Sequence, residues 1–201
     1  MKCKLCDNNI NNISLYELIF ERDVLCKECR SKMNFKKRII KTHVYTITYF
    51  YDYNQMFQTL LLQYKECYDE ALYDAFLFKI DTYISIKYRN YSLLLAPSSK
   101  AKIDKRGFNH LEKIFSRLPL KRVDGLYLRE DINQEGKSFF QRQQMMDNYI
   151  YKGPKLDKVL IVDDVYTTGS TIKGLYSAIK PYANKIEVLV LAKTGRLLND
   201  C

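Results

Sequence analysis

The chain has 201 residues and a mass of 23.9 kDa, which allows one core domain and a small appendage. Hydrophobic residues make up 47% of the sequence and charged residues 28%, so the composition is that of a folded protein and excludes a long disordered chain. The 33 Lys and Arg residues outnumber the 23 Asp and Glu residues. The resulting net charge of +10 indicates an anionic partner, such as nucleic acid or a phosphorylated small molecule.

No stretch of the sequence approaches the roughly 18 consecutive apolar residues of a membrane span. The first residues, MKCKLCDNN, lack the apolar core of a secretory signal peptide. We therefore expect a cytoplasmic protein with no membrane span. In that reducing compartment the six cysteines are expected to be metal ligands or free thiols and not disulfides.

Hydrophobic periodicity after residue 38 predicts an α/β fold. Strands are predicted over His43–Tyr51, Tyr91–Ala96, Val123–Leu128, Val159–Val162 and Ile186–Ala192, and helices over Gln55–Lys65, Glu70–Lys87, a segment after Gly107, and Ser170–Lys180. Residues 129–148 are polar and are interpreted as a loop leading into a helix. The last strand, helix and strand in succession predict a parallel βαβ unit with a right-handed crossover.

Four cysteines frame the N-terminal segment. Cys3-x2-Cys6 and Cys26-x2-Cys29 are two knuckles with the spacing of a four-thiolate zinc site. A site filled by four sulfurs leaves no position for water, so zinc there is expected to be structural. Two alternatives stay open, which are an iron–sulfur centre and a segment without metal. The predicted domains are a zinc ribbon over residues 1–38 and an α/β domain over residues 39–201; Cys67 and Cys201 are interpreted as bystanders.

The segment Val159–Thr171, VLIVDDVYTTGST, carries the strongest functional pattern. Asp163 and Asp164 follow a buried strand, at the edge where α/β proteins bind ligands. The next residues turn into a helix and offer hydroxyls, backbone N–H groups and the flexibility of Gly169 to a phosphate. Two carboxylates beside a phosphate would repel it unless they have another partner, so we expect them to bind a ribose diol, directly or through Mg²⁺.

This segment closely resembles the 13-residue signature of type I phosphoribosyltransferases, which bind phosphoribosyl pyrophosphate (PRPP). The resemblance implies a parallel sheet flanked by helices. It also implies that Asp163 and Asp164 hold the 2′ and 3′ hydroxyls of the ribose. The 5′-phosphate is implied to bind Thr167, Thr168, Gly169, Ser170 and Thr171, with Tyr166 over the ribose phosphate.

A four-cysteine ribbon, a strand ending at Pro97, the motif Arg106-Gly107-Phe108-Asn109 and the acidic signature occur here in one order. This order resembles that of the ComF family of bacterial competence proteins over essentially the whole chain. By position, the resemblance implies that Ser98, Ser99 and Lys100 line the pyrophosphate loop and that Arg106 meets the pyrophosphate charge. Ala96-Pro97-Ser98 keeps one proline of the family's Pro-x-Pro. His110 is interpreted as a base or as a helix-capping residue.

Two segments concentrate positive charge. Residues 26–41 carry seven Lys and Arg residues against one Glu, and residues 100–122 carry eight against two acidic residues. Such clusters are typical of a surface that binds single-stranded DNA, although they also occur on an ordinary solvated face. The residues predicted to contact DNA are Lys27, Arg30, Lys32, Lys36, Lys37, Arg38, Lys102 and Lys105.

The resemblance implies a role in DNA uptake and natural transformation, with PRPP or a related phosphoribosyl ligand and single-stranded DNA bound, zinc in the ribbon and Mg²⁺ accompanying PRPP. A DNA-uptake helicase or a recombination mediator is the implied protein partner. The alternative is an active phosphoribosyltransferase that transfers ribose 5-phosphate to a nitrogen acceptor with loss of pyrophosphate. A third possibility is a zinc-stabilised interaction module with a vestigial pocket.

Overall fold

The computed structural model describes residues 1–10, 23–128 and 148–195. Its helices are α1 (Lys27–Lys32), α2 (Gln55–Lys65), α3 (Tyr73–Leu77), α4 (Asp81–Lys87), α5 (Lys100–Arg106), α6 (His110–Ile114) and α7 (Ser170–Ile179). Its strands are β1 (Arg38–Lys41), β2 (Thr46–Asp52), β3 (Ser92–Leu95), β4 (Leu126–Leu128), β5 (Tyr149–Tyr151), β6 (Leu156–Tyr166) and β7 (Ala183–Lys193). Single 3₁₀ turns cover Glu70–Leu72 and Lys180–Tyr182.

Five strands form one sheet in the order β1-β2-β7-β6-β3. The pairs β2–β7, β7–β6 and β6–β3 are parallel, and only β1 runs antiparallel to its neighbour. The predicted α/β class and the parallel pairing of the last two strands are thus confirmed. A separate two-stranded sheet joins β4 to β5. Strand β6 is buried on both faces over Val159–Val162, as expected for a central parallel strand covered by helices.

Helix α2 shows how the apolar pattern places an element. Phe57, Leu60, Leu61 and Tyr64 recur at helical spacing, and all four are buried against the sheet layer. The side chain of Asn54 caps the first turn by accepting a hydrogen bond from the Phe57 N–H. The helix ends at Lys65, so its last turn brings that lysine to the edge of the sheet where β6 ends.

The predicted helix over Glu70–Lys87 is wrong as one continuous element. The structure has a 3₁₀ turn, α3 and α4 in its place, with a break at Lys79, whose φ of 62° is left-handed. Leu77 and Ile80 are both buried on either side of the break. The sequence has no glycine or proline at this break, so local patterns do not predict it. Burial of Leu77 and Ile80 on its two sides stabilises it.

Other predictions are shifted at their ends or incomplete. The strand over His43–Tyr51 is β2, that over Tyr91–Ala96 is β3, and that over Ile186–Ala192 is the centre of β7. The helix after Gly107 is α6, whereas α5 was not predicted. Residues 129–147 of the predicted loop, and Cys201, lie outside the described residues. None of the helices in the described ranges has the length and apolar run that a transmembrane helix needs.

The cysteine-framed segment contacts the 3₁₀ turn, α2 and α3. Arg30 forms an ion pair with Asp23, and its Nη1 donates to the Ala75 carbonyl at 2.8 Å. Gln63 Nε2 donates to the Lys4 carbonyl at 3.2 Å, and Lys4 Nζ donates to the Ala71 carbonyl at 3.3 Å. Since β1 begins at Arg38 and pairs with β2, the main sheet starts at the point where we predicted the domain boundary, which stays a prediction.

Candidate functional site

A cavity of about 790 Å³ lies at the carboxyl edge of the parallel sheet. Residues that follow β2, β3 and β6 meet there with the end of α2, with α5 and with the first turn of α7. Ligands of open α/β sheets bind at this edge. The predicted site residues that line the cavity are Ser98, Ser99, Arg106, Asp163, Asp164, Thr167 and Thr171.

The two aspartates lie inside β6 and not after it. The predicted strand over Val159–Val162 is too short, because β6 pairs with β7 as far as Tyr166. On its other side, however, β6 pairs with β3 only as far as Val162. The residues after that point have no β3 neighbour, which opens the wall of the cavity at Asp163 and Asp164.

Asp164 is already engaged by the protein. Its Oδ2 accepts hydrogen bonds from Lys65 Nζ at 2.6 Å and from His110 Nε2 at 3.0 Å. Burial opposes ionisation of this carboxyl, but His110 and the Lys65 ammonium outweigh burial and hold the pKa of Asp164 well below its usual range. Oδ2 of Asp164 therefore belongs to an internal ion pair, and the predicted contact of Asp164 with a ribose hydroxyl stays a prediction.

Asp163 is in a different electrostatic state. Its Oδ1 accepts only the backbone N–H of Asp164 in the described structure, at 2.9 Å, and its side chain borders the cavity. Burial, and secondly the neighbouring charge of Asp164, raise the pKa of Asp163 to about 7. The two adjacent carboxyls thus differ in their partners: Asp164 is paired with Lys65 and His110, whereas the side chain of Asp163 accepts only a backbone N–H in the described structure.

The ring of His110 connects three parts of the cavity. Arg106 Nη1 lies 3.1 Å from His110 Nδ1, and a guanidinium can only donate. Nδ1 therefore accepts, Nε2 carries the proton, and that proton is donated to Asp164. Burial lowers the pKa of His110 against the pull of Asp164, so the ring is neutral at pH 7. Ser98 Oγ lies 3.2 Å from the same Nδ1, which ties the residue after Pro97 to the network.

Arg106 is buried, with only 9% of its surface exposed. Its Nε donates to the Lys65 carbonyl at 3.0 Å, so two of its donors are used inside the protein. This geometry makes Arg106 the link between α5, α6 and the end of α2. Its predicted contact with a pyrophosphate is untested, and Lys102 and Lys105 are the exposed cations that border the cavity from the same helix.

The turn after β6 has the form predicted for a phosphate site. Gly169 has a φ of 75°, and a Cβ at that position would lie 2.4 Å from the Tyr166 hydroxyl. Only glycine fits both constraints. Thr168 Oγ1 lies 3.1 Å from Ser170 Oγ, and both side chains are exposed at the start of α7. Tyr166 is buried against this turn, so it supports the backbone and does not border the cavity.

Sequence reasoning missed several residues of the cavity, among them Tyr53, Lys65 and Tyr149. Tyr53 follows β2 and Lys65 ends α2, and neither residue belongs to a sequence motif. Tyr149 lies just after the polar segment over residues 129–148. Burial raises the pKa of Tyr149, and the nearby Asp163 charge adds to it. A lysine at the end of an amphipathic helix was the only signal for Lys65, and it is common on ordinary surfaces. Lys100 lies outside the cavity lining and is exposed on the first turn of α5.

The four N-terminal cysteines are brought together as predicted. One sulfur from each of Cys3, Cys6, Cys26 and Cys29 lies within 4.8 Å of the others, and Cys6 Sγ is 3.7 Å from Cys26 Sγ. Zinc–sulfur bonds of about 2.3 Å at tetrahedral angles place sulfurs about 3.8 Å apart. Cys26 precedes α1 and accepts the Cys29 N–H at 3.5 Å, which turns both thiols toward one point. The donor set fits a structural zinc ion, because four sulfurs fill the tetrahedral coordination and leave no position for water.

The predicted DNA contacts fall into different environments. Lys36 and Lys37 are exposed between α1 and β1, and Phe35 beside them is 49% exposed. Arg38 is paired with Asp52, and Arg30 with Asp23, so these two guanidiniums are held by carboxylates. Lys27 is exposed, and so is Lys32, which pairs with Glu28.

A second cavity of about 520 Å³ shares Ala96, Pro97 and Ser98 with the first. It lies beside β3 and the segment that leads into β4. Arg122 lines it, with Nη2 donating to the Phe115 carbonyl at 2.6 Å. The two cavities therefore meet at the loop that follows β3.

Comparison with known proteins agrees with the motif order. No protein-family model matches the chain. Over 199 residues the chain is 26% identical to competence protein ComFC of Streptococcus pneumoniae, an alignment that covers 86% of this chain and 90% of that protein. The resemblance of this protein to the ComF family of competence proteins is thereby confirmed.

Proposed function

We propose that this protein serves DNA uptake and natural transformation in the cytoplasm by binding a phosphoribosyl ligand, PRPP or a close relative, and single-stranded DNA. A competence-related role is supported by the similarity to ComFC. The ligand proposal depends on one observation above all: a carboxyl, a glycine-containing hydroxyl turn and three lysines meet around one cavity at the carboxyl edge of the sheet. In this proposal residues 1–38 are a zinc-stabilised ribbon and residues 39–201 bind the ligand.

The 5′-phosphate is assigned to the turn from Thr167 to Thr171. The backbone at Gly169 is in the left-handed conformation, and α7 starts directly after it, so the N–H groups of its first turn and its positive dipole end lie at the turn. These groups stabilise a phosphate monoester without needing a side-chain cation. The N–H of Ser170 donates to Thr168 Oγ1 at 3.4 Å. The hydroxyls of Thr168 and Ser170 are 3.1 Å apart and exposed, so they can rotate to donate to the same oxygen atoms.

The ribose is assigned to Asp163, which borders the cavity and has one internal hydrogen-bond donor in the described structure. A hydroxyl of the sugar would donate to its ionised carboxylate. The pyrophosphate of PRPP is assigned to the side formed by Ser98, Ser99, Lys102 and Lys105. Mg²⁺ bound to the pyrophosphate would supply counter-charge there.

The test of the ligand site is calorimetric titration with PRPP and Mg²⁺. Asp163→Asn replaces the charged acceptor of the ribose hydroxyl by a neutral amide and is expected to weaken binding at least about tenfold, which is the loss of roughly one charge-assisted hydrogen bond. Asp157→Asn is the matched control, because Asp157 lies on the same strand with its side chain 72% exposed and far from the cavity lining. Equal PRPP affinity in both variants would show that the ribose assignment is wrong.

Single-stranded DNA is assigned to the exposed cations between α1 and β1. Neither Lys36 nor Lys37 forms an ion pair with a carboxylate within the described ranges, and Phe35 offers a half-exposed ring for base stacking. Fluorescence anisotropy with a labelled oligonucleotide should show affinity that falls with salt. Replacing Lys36 by Ala should lower the magnitude of the slope of log K against log[salt] by about 0.7, whereas the exposed Lys155→Ala should leave it unchanged. A slope unaffected by Lys36→Ala would remove this surface from the proposal.

A second function is favoured by the cavity beside β3. Its contact with the ligand cavity through Pro97 and Ser98 would allow an acceptor to approach bound PRPP. An active phosphoribosyltransferase would release pyrophosphate from PRPP and Mg²⁺ in the presence of one nitrogen base of a panel. Turnover with one base favours the enzyme; DNA binding without turnover favours the competence factor, whose protein partner would be a DNA-uptake helicase or a recombination mediator.

A further inference from the structure

The ion pair between Lys65 and Asp164 occupies the place that a divalent cation would need. Lys65 Nζ is 2.6 Å from Asp164 Oδ2, and the N–H of His110 reaches the same oxygen at 3.0 Å. Mg²⁺ requires near-ideal octahedral coordination by oxygens, and an ammonium group at this distance repels it. The acidic pair therefore does not fit a magnesium ion, although a sequence with two adjacent aspartates invites that interpretation.

We propose that Lys65 is a positioning residue that supplies the counter-charge of the acidic pair, so that a ribose 5-phosphate group binds beside Asp163 without a divalent cation. This inference rests on the proposed phosphoribosyl site and adds a specific property to it. Mg²⁺ is then required only by a pyrophosphate, which ribose 5-phosphate lacks.

The first argument is that the lysine is fixed in place. Lys65 ends α2, and its carbonyl accepts from Arg106 Nε at 3.0 Å, so both its backbone and its ammonium are held. Its side chain is 24% exposed and that of Asp164 11% exposed, so water screens this pair less than a surface ion pair.

The second argument is that the two carboxyls are adjacent. With Asp164 neutralised by Lys65, a ribose phosphate at the turn before α7 meets one negative group and not two. Without Lys65 the anion of Asp164 would be left with only the neutral His110, and the site would repel a phosphate or recruit a cation.

The experiment compares ribose 5-phosphate binding by calorimetry in magnesium-free buffer and with added MgCl₂. Metal is removed by passing buffers over resin and not by a chelator in the sample, because a chelator would also remove zinc from the ribbon. The variants are Lys65→Met, Lys65→Arg, and Lys102→Met as a control that removes a different cavity lysine. Circular dichroism melts verify that each variant is folded.

The wild-type protein is expected to bind ribose 5-phosphate with the same affinity in both buffers. Lys65→Met should lose at least about tenfold in affinity without magnesium and recover when MgCl₂ is added, a change of about 1.4 kcal/mol. Lys65→Arg keeps the charge and should behave as the wild type. Lys102→Met leaves the Lys65–Asp164 pair intact, so its affinity for ribose 5-phosphate should not depend on magnesium.

A double variant, Lys65→Met with Asp164→Asn, keeps the test valid if the single lysine variant does not fold. It removes both charges together, so binding without magnesium should return. Ribose 5-phosphate binding that requires magnesium in the wild type, or Lys65→Met binding that ignores magnesium, would overturn the role of Lys65. Absence of wild-type binding in both buffers would instead refute the proposed function itself.

Discussion

Replacing Gly169 by alanine tests the turn on which the phosphate proposal depends. Gly169 has a φ of 75°, and left-handed backbone costs a residue with a Cβ about 1–2 kcal/mol. The new Cβ would also lie 2.4 Å from the Tyr166 hydroxyl and 2.6 Å from its Cζ. Tyr166 is buried, so its ring must leave a preferred rotamer at a further cost of about 0.5–1.5 kcal/mol.

The two costs add to about 1.5–3.5 kcal/mol, which lowers the melting temperature of a chain of this size by about 3–14 °C. Gly107→Ala is the matched control, because Gly107 has a φ of 83° but no atom within 4 Å of the added Cβ. Gly107→Ala should therefore be destabilised only by the left-handed backbone, by about 1–2 kcal/mol. The measurement is thermal unfolding of both variants by circular dichroism, followed by titration with ribose 5-phosphate.

Gly169→Ala should be less stable than Gly107→Ala and should lose ribose 5-phosphate affinity, whereas Gly107→Ala should keep it. If the two variants lose equal stability, the close approach of Gly169 to Tyr166 is not a real constraint. If Gly169→Ala binds ribose 5-phosphate as tightly as the wild type, the phosphate does not bind at this turn.

Three further changes test other parts of the molecule. Asp163 binds a proton more tightly in the folded protein than in the unfolded chain, because its pKa is raised to about 7 on folding. The stability that this protonation supplies is lost as the pH rises toward 7, so Asp163→Asn should raise the melting temperature at pH 8 but not at pH 4. An equal effect at both pH values would contradict this. Cys3→Ser should lower the bound zinc, measured by atomic emission, below one ion per chain, and unchanged zinc would reject the four-thiolate site. Arg30→Met leaves Asp23 without its ion-pair partner and should destabilise the protein by about 2–3 kcal/mol in urea unfolding. Lys32→Met breaks an exposed pair and should have almost no effect. A loss for Arg30→Met as small as that for Lys32→Met would show that the ion pair of Arg30 does not stabilise the protein.

The sequence alone determined the features that depend on local patterns, namely helix α2, the cysteine cluster and the strand, turn and helix around Gly169. The apolar spacing over Gln55–Lys65 gives the bounds of α2, and the cysteine spacing gives the four thiols that meet within 4.8 Å. The run from Val159 to Thr171 gives a strand, a turn with a left-handed glycine and a helix. Each of these patterns involves residues that are near one another in the sequence, so the local structure can be predicted without knowing its tertiary contacts.

Only the tertiary structure decided which partners those features meet. Lys65 and Asp164 are 99 positions apart, and they touch because β6 lies between β7 and β3 while α2 ends at that edge. The same order brings His110 onto Asp164 and leaves Asp163 facing the cavity. The break at Lys79 also depends on packing, since no local residue requires it. Two adjacent aspartates are equivalent in the sequence, and they become different because the sheet order and the end of one helix place a cation beside only one of them.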